Sequence, residues 1–102
     1  MESQNMKALF IVVNAGFSEE AANIARNAGA GGATIINARG EGAQHESFLG
    51  ITVDTEKEMI LCVTNEKTAE KAMDAVKEKA GIKTPAHGIC FTMPVERTVG
   101  IK

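Results

Sequence analysis

Three unbroken apolar runs constrain this chain more than any other feature. They are "ALFIVV" at residues 8–13, "MILCV" at 59–63 and most of "GICFTMPV" at 88–95. Their β-branched and aromatic residues favour strands over helices. Strands of a sheet that is covered on one side only alternate apolar and polar residues, and these runs do not alternate. The predicted sheet is therefore apolar on both faces.

Two helices are predicted between the strands. The first is expected to use Ser18 as its N-cap and to end in a left-handed conformation at Gly29. The second begins at Thr64 or Asn65 and ends before Gly81, and its apolar positions follow helical spacing. Small side chains dominate the inward stripe of the first helix, which predicts that it packs closely on the sheet.

The order of elements is strand, helix, strand, strand, helix, strand, and it predicts a ferredoxin-like α+β sandwich with an antiparallel sheet. The four main strands are expected at 7–14, 33–39, 57–64 and 88–95, with a further extended piece at 48–54. Right-handed crossovers place the first and third main strands in the middle and both helices on one face. A chain of 102 residues is long enough for a single domain, 1–102.

Two helices cannot cover both faces of such a sheet. Burying about 600 Å² of the uncovered apolar face at ~25 cal/mol per Å² is worth of order 15 kcal/mol gross, before the costs of association. The sequence therefore predicts a homo-oligomer that packs sheet to sheet. The alternative is that a few additional apolar residues lie on the surface without consequence.

Charge and composition exclude several classes of protein. The 11 basic and 13 acidic residues are spread along the chain, so the basic stripe that nucleic-acid binding needs is missing. The N-terminal stretch has neither a signal-peptide pattern nor a membrane span, and we expect a cytoplasmic protein. Cys62 and Cys90 lie in apolar runs on strands that are not neighbours, so a disulfide between them is not expected.

The stretch "ARGEGAQHESFLGI" at 38–51 is the first candidate for a binding loop. Gly40 and Gly42 permit a sharp turn that brings backbone N–H groups close to a ligand, and Gln44, His45 and Glu46 follow directly. A simple turn would show the same two glycines. No helix start follows them, so the stretch is not a dinucleotide-binding fingerprint.

Two further segments carry polar candidates. "GIKTPAHGI" at 81–89 contains His87 and Gly88 and could equally be a plain connection between helix and strand. If His45 and His87 met in one cleft, they could bind phosphate or a metal. At the chain end, Arg97 and Lys102 could clamp an anion or form a solvated tail. No nucleophile has a base at usable spacing, so an enzyme is not predicted.

From about residue 6 to residue 102 the chain resembles the PII signalling family. "GAGGATIINARGEGAQ" at 29–44 is similar to the family's Gly-x-x-Gly-x-Thr strand and to the Arg-Gly-x-Gly-x-Gln motif that opens its T-loop. "HGICFTMPVERTVGIK" at 87–102 is similar to its last strand, Pro-Val-Glu motif and basic C-terminal loop. The resemblance implies a nitrogen-regulatory, ferredoxin-like homotrimer that binds adenine nucleotides in clefts between subunits.

Site residues follow from the resemblance motif by motif. Gln44 matches the position that helps to organise metal and 2-oxoglutarate, and Cys62 falls on the third main strand near the adenine. The resemblance also implies that His45 and His87 lie in the same cleft between subunits. The full predicted ligand-binding set is Thr34, Arg39, Gly40, Gly42, Gln44, His45, Cys62, His87, Gly88 and Lys102.

The chain also departs from the family pattern. Ile89 replaces the phosphate-binding lysine, Ala43 and His45 replace the basic residues that flank the T-loop glutamine, and Gly100 replaces one of two C-terminal arginines. Each lost charge-assisted contact is worth about 1.5 to 3 kcal/mol, so ATP is expected to bind less tightly than is usual. The effector is therefore not identified by the sequence. The T-loop is short, and because the chain has no tyrosine it cannot be uridylylated on tyrosine.

The predicted function is that of a PII-like regulator, not an enzyme. It would bind a small effector, an adenine nucleotide or another metabolite, and act on a target protein such as a membrane transporter. The alternative is a trimeric divalent-metal-binding protein that resembles the cation-tolerance family and uses His45, His87 and Glu46. An acylphosphatase-like enzyme is disfavoured because "NAGFSEE" at 14–20 is acidic and has no arginine to hold a phosphate.

Overall fold

A computed structural model describes residues 6–40, 47–48, 51–52 and 55–101. Within these ranges the chain folds as a four-stranded antiparallel sheet with two helices, a ferredoxin-like sandwich, as predicted. The elements in chain order are β1 (Met6–Asn14), α1 (Ser18–Ala28), β2 (Thr34–Gly40), β3 (Ser47–Phe48), β4 (Ile51–Thr52), β5 (Thr55–Asn65), α2 (Glu66–Lys79) and β6 (Ile89–Pro94).

The sheet has the strand order β2-β5-β1-β6, and all of its pairs are antiparallel. β1 and β5 are central, as the crossover argument predicts for the first and third main strands. Instead of the single extended piece expected at 48–54, the structure has two short strands, β3 and β4, which pair antiparallel with each other in a separate two-stranded ladder. β6 ends at Pro94, which cannot donate a further hydrogen bond to the sheet.

One face of the sheet carries the hydrophobic core. Leu9, Ile11 and Val13 alternate along β1, and Ile60 and Cys62 lie on the same face of β5. All five are buried beneath the two helices. The helices pack beside each other on this face, as predicted.

The start of α1 differs from the prediction. The helix begins at Ser18, but the N-cap position belongs to Phe17, and no side chain caps the helix. The chain leaves β1 through a turn in which the Phe17 N–H donates to the Asn14 carbonyl at 3.1 Å, and the Ala21 N–H then donates to the Phe17 carbonyl at 3.0 Å. This turn places the N-cap at Phe17, one residue before the expected cap. The predicted end is confirmed, since Gly29 is left-handed with φ of 117°.

α2 begins at Glu66, and its N-cap is Asn65, one of the two residues at which the sequence predicts the helix to begin. The Asn65 side-chain Oδ1 accepts a hydrogen bond from the Thr68 N–H at 2.8 Å. The inward stripe consists of small residues and one valine, and Ala69, Ala72 and Val76 are buried. Neither helix in the described ranges has both the length and the apolar character that a membrane crossing requires.

The other face of the sheet carries no helix and is apolar, as predicted from the unbroken runs. We call it the open face. Phe10 of β1 and Phe91 of β6 stack on it with ring centroids 5.0 Å apart. Large side chains of the open face remain accessible in the single chain: Ile36 is 41% exposed, Ile89 53%, Phe91 42% and Met93 53%.

Candidate ligand-binding site

A cavity of about 620 Å³, here called the glycine cavity, opens where the segment after α1 passes the end of β5. Gly31 and Gly32 leave open space where a Cβ would lie, so packing does not require glycine at either position. Their effect is to expose backbone N–H and carbonyl groups to the cavity. The described lining residues are Met6, Gly29, Gly31, Gly32, Ala33, Thr34, Leu61, Val63, Thr64, Asn65 and Ile101.

A second cavity of about 650 Å³ lies at the opposite end of the sheet, and we call it the strand-end cavity. Arg39 stands directly across from Glu56 in the β2–β5 pairing. The neighbouring Glu58 carboxylate accepts a hydrogen bond from the Gly16 N–H at 2.7 Å. The lining residues are Ala15, Asn37, Ala38, Arg39, Glu56, Lys57 and Glu58.

Asn14 connects this end of the sheet to the segment before β6. Its side-chain oxygen accepts a hydrogen bond from Lys57 Nζ at 2.6 Å, and its side-chain nitrogen donates to the Pro85 carbonyl at 3.0 Å. The Asn14 backbone N–H donates to the Ala86 carbonyl at 2.8 Å. The aliphatic part of Lys57 lies close to Gly40, so β2, β5 and the 81–88 segment are held together around one asparagine.

The 81–88 segment is a turn stabilised by backbone hydrogen bonds. His87 is exposed, has a positive φ of 49°, and donates its N–H to the Thr84 carbonyl at 2.9 Å. Gly88 is buried and donates its N–H to the Ala80 carbonyl at 2.7 Å, and a Cβ at this position would overlap that same oxygen. Glycine is therefore required at residue 88 for the chain to enter β6.

A third cavity of about 630 Å³ lies between α2 and β6, and we call it the α2–β6 cavity. Its walls are mostly apolar, and its described charged residues are Asp74, Lys77 and Lys83. Cys90 also lines it, and burial together with the negative charge of Asp74 raises the pKa of the Cys90 thiol above 9.0.

The structure divides the predicted site residues between the two ends of the sheet. Thr34 is exposed and lines the glycine cavity, whereas Arg39, Gly40, His87 and Gly88 lie at or near the other end. The ends are separated by the nine residues of β1, which span about 26 Å at 3.3 Å per residue. Gly42, Gln44, His45 and Lys102 lie outside the described residues.

Cys62 is placed differently from the other predicted residues. It is 2% exposed and belongs to the core, so its side chain points away from the glycine cavity. Burial raises the pKa of its thiol above 9.0, partly offset by the positive charge of Arg26. In β5 the adjacent Leu61 and Val63 line the cavity, because successive side chains of a strand point to opposite faces.

Sequence reasoning missed several residues that the structure places at the site. The sequence does not single out Leu61 and Val63, because the run at 59–63 is apolar throughout. It therefore does not show which side chains face the core and which face the cavity. Asn14 and Lys57 are 43 residues apart, and no local pattern links them. The predicted glycine-rich segment does hold a usable signal, because Gly31 and Gly32 precede Thr34 with only Ala33 between them.

The metal-binding alternative depends on residues that are mostly not described. His45 and Glu46 lie outside the described ranges, and His87 is exposed at the turn before β6. Within residues 6–40 and 55–101 no three His, Cys, Asp or Glu side chains are close enough to hold an ion together. The alternative therefore stays a prediction.

Solved structures resemble this fold closely. The GlnK–ATP complex of B. subtilis is 20% identical with a TM-score of 0.73, covering 97% of this chain and 88% of that chain. GlnK of B. subtilis is 19% identical with a TM-score of 0.70, and the match covers 92% of this chain and 88% of that chain. A Thermus thermophilus protein assigned as a PII-like signaling protein is 19% identical with a TM-score of 0.67, and the match covers 86% of this chain and 84% of that chain. At such identities the likeness shows the fold alone.

Sequence comparison supplies the family. No curated protein matches the chain. A family model described as nitrogen regulatory protein P-II matches residues 6–102, which is nearly the whole chain. The resemblance noted in the glycine-rich segment and in the C-terminal stretch is thereby confirmed, and the chain belongs to the nitrogen regulatory protein P-II family.

Proposed function

We propose that residues 1–102 form one domain of a homotrimeric regulator. In this proposal an adenine nucleotide or a related small effector binds in clefts between subunits, and its occupancy controls a target protein. Members of the P-II family are signalling proteins that generally bind effectors such as ATP and regulate targets. For this chain the effector, the target and the cytoplasmic location are parts of the proposal, and a membrane transporter is the target class we favour.

The separation of the two half-sites is the observation that supports this proposal most. Thr34 and the glycine cavity lie near one end of the sheet, and Arg39, Gly40 and Gly88 lie near the other. A ligand that contacts both sets cannot do so within one chain across about 26 Å. Two copies related by rotation can bring the glycine cavity of one to the strand-end cavity of the next.

The open face supplies the driving force for such an assembly. Phe10, Phe91, Met93 and Ile89 form a contiguous apolar surface on adjacent strands that no element of the described chain covers. Burial of about 600 Å² of such a surface is worth of order 15 kcal/mol gross. Soluble monomers rarely expose a contiguous patch of this kind.

The glycine cavity has a composition that suits a nucleobase. Leu61, Val63 and Ile101 provide apolar walls, and the backbone of the glycine segment provides donors and acceptors for the edge of a planar ring. The Thr34 hydroxyl adds one orienting group. This division into apolar faces and polar edges matches the two surfaces of a purine.

Regulation requires that the ligand bind one state better than another. Gly40 ends β2 beside the Lys57 side chain, which is in turn tied to Asn14 and the 81–88 turn. We propose that a ligand held at this end biases the position of the segment that leaves Gly40. That segment, the counterpart of the T-loop, would then contact the target.

A thermal-shift panel tests the proposal on the purified protein. The compounds are ATP, ADP, AMP, adenosine, a cyclic nucleotide, bicarbonate, Zn²⁺ and Cu²⁺. A ligand at a hundred times its dissociation constant adds about 2.7 kcal/mol of stability, so the correct class raises the melting temperature by several degrees. The substitution Thr34→Val should reduce this shift, and Thr92→Val, the same change on β6 outside the glycine cavity, should leave it intact.

Two results would contradict the proposal. One is a panel in which no adenine compound stabilises the protein. The other is stabilisation by Zn²⁺ or Cu²⁺ alone, which would favour the metal-binding alternative.

A further inference from the structure

We propose that Asn14 is a coupling residue: its side chain transmits movement of the 81–88 turn to the paired ends of β2 and β5, residues 38–40 and 55–57. We call these paired residues the strand end. The inference rests on the proposed function and deepens it, because it names how a ligand held at the turn acts on the segment that leaves Gly40. It is carried by the hydrogen bonds of one amide group.

The Asn14 amide binds two partners of opposite hydrogen-bonding character. Its oxygen accepts from Lys57 Nζ at 2.6 Å, and its nitrogen donates to the Pro85 carbonyl at 3.0 Å. A lysine ammonium can only donate, and a backbone carbonyl can only accept. The orientation of the amide is therefore fixed, because a flipped amide would satisfy neither partner. A carboxylate at this position would keep the first hydrogen bond and lose the second.

Both hydrogen bonds depend on one side-chain rotamer. The amide oxygen and nitrogen are attached to the same planar carbon, so they move together when the Asn14 side chain rotates. If the Pro85 carbonyl shifts, the amide can follow it only by turning its oxygen away from Lys57. Hydrogen bonds weaken steeply as they bend. A movement of the turn is therefore converted into a weaker hold on Lys57.

Lys57 carries the effect to β2. It pairs with Asn14 on one side and with Ala38 on the other, so the three side chains lie on the same face of the sheet. The aliphatic stem of Lys57 lies over Gly40, since a Cβ at that glycine would be 3.2 Å from Lys57 Cγ and 3.3 Å from Cε. Gly40 pairs in turn with Thr55. A change in the position of Lys57 therefore reaches the residue at which the chain leaves β2.

The turn on the other side of Asn14 is held together by its own hydrogen bonds. The Thr84 N–H and hydroxyl both donate to the Gly81 carbonyl, at 3.0 and 2.8 Å. The His87 N–H donates to the Thr84 carbonyl at 2.9 Å, and His87 has a positive φ that few non-glycine residues adopt. A contact with any part of this turn therefore moves the Pro85 carbonyl with it.

Two backbone hydrogen bonds join the same elements without the Asn14 side chain. The Asn14 N–H donates to the Ala86 carbonyl at 2.8 Å, and the Ala15 N–H donates to the Glu56 carbonyl at 3.0 Å. These bonds remain when the side chain is replaced, so Asn14 variants should keep the fold. Only the side-chain link is lost, and the experiment isolates that link.

A double-mutant cycle read by amide hydrogen exchange tests the inference on the full-length protein, without any ligand. Thr84→Val perturbs the turn, because it removes the hydroxyl that donates to the Gly81 carbonyl. In the otherwise unmodified protein it should speed amide exchange at the strand end by about threefold to fivefold. In the Asn14→Asp and Asn14→Ala backgrounds the same change should alter that exchange by under about 1.5-fold.

Asn14→Asp separates coupling from structural support. The carboxylate keeps an acceptor for Lys57 and offers no donor to the Pro85 carbonyl. The strand end of this variant should therefore exchange at nearly the native rate, and it should no longer respond to Thr84→Val. A residue that only supports the strand end would leave the response intact.

The matched control background is Asn23→Ala. The Asn23 side chain accepts one exposed hydrogen bond, from Arg26 on the same helix, and Thr84→Val should act in this background as it does in the unmodified protein. An internal control comes from the amides of Thr34 and Leu61, which pair at the opposite end of β2 and β5. Their exchange should not respond to Thr84→Val in any background.

The outcomes separate this inference from the proposed function. If Thr84→Val leaves the strand end of the unmodified protein unchanged, or if the response is equally large in both Asn14 variants, the inference is wrong. Neither result affects the proposed function. The proposed function fails instead if no adenine compound stabilises the protein in the thermal-shift panel.

Discussion

Lys57 Nζ donates a hydrogen bond of 2.6 Å to Asn14 Oδ1, and the amide nitrogen of the same Asn14 donates to the Pro85 carbonyl at 3.0 Å. The Asn14 side chain, at the end of β1, therefore links β5 with the 81–88 turn that precedes β6. β5 is the strand that follows the candidate binding loop at 38–51. These are the two elements that the strand-end half of the proposed cleft requires. Their relative position depends on Asn14.

Asn14→Ala should destabilise the protein by about 2 kcal/mol, because both side-chain hydrogen bonds are lost and Lys57 is left without its acceptor in a partly buried position. Urea denaturation at fixed protein concentration measures the effect. Asn23→Ala is the control: Asn23 makes one exposed hydrogen bond, to Arg26, and its loss should cost under about 0.5 kcal/mol. Equal losses in the two variants would contradict the role assigned to Asn14.

Gly88→Ala should be strongly destabilising, by roughly 2 to 4 kcal/mol. The new Cβ would overlap the Ala80 carbonyl oxygen and would lie 3.2 Å from Val13 Cγ1 in the core. Gly31→Ala provides the comparison, because open space surrounds a Cβ at that position. The second variant should keep its melting temperature within a few degrees, and a tolerated Gly88→Ala would show that the turn relaxes freely.

The two thiols should resist alkylation at pH 8. Burial raises the pKa of Cys62 and of Cys90 above 9.0, so the thiolate fraction of each is smaller than in a free cysteine. We expect iodoacetamide to modify Cys90, which is partly exposed, before the buried Cys62. Rapid modification of Cys62 in the folded protein would contradict its position in the core.

The same raised pKa values predict how stability changes in alkaline solution. The folded state holds the Cys62 thiol proton more tightly than the unfolded state does. The contribution of this proton to the free energy of unfolding is therefore complete below pH 9.0 and is lost as the pH rises from 9.0 through the folded pKa. Unfolding free energies measured between pH 8 and pH 11 should fall less steeply for Cys62→Ala than for the native protein. Parallel slopes would show that Cys62 is not involved.

The sequence predicts the elements of this fold better than it predicts the site. Apolar runs define the strands, and Gly29 and Asn65 mark helix ends through their own backbone and side-chain chemistry. The start of α1 was mispredicted because a tertiary turn out of β1 puts Phe17 at the cap position. Local signals do not contain that turn.

The site is less predictable for a related reason. An alternating strand reveals which side chains share a face, and the run at 59–63 does not alternate. The family resemblance points to Cys62 on this strand, whereas the cavity is lined by its neighbours Leu61 and Val63. The same lack of alternation that hides the cavity-lining residues in the sequence also predicts the apolar open face.

A charge on the open face should break the proposed assembly. Phe91 stacks on Phe10 and is 42% exposed in the single chain, so Phe91→Glu would bury an unpaired carboxylate if copies meet there. Size-exclusion chromatography with light scattering should show dissociation. Ile82→Glu introduces the same charge at an exposed apolar residue of the 81–88 turn, which is not part of the open face, and should leave the mass unchanged.

Sedimentation equilibrium of the unmodified protein at micromolar concentration tests the central claim most directly. The account predicts a single species of about three times the chain mass of 10.8 kDa, because the open face cannot remain in water and the two half-sites need a neighbour. A folded, soluble species of one chain mass at that concentration would contradict it, since neither the covered face nor the shared cleft would then exist.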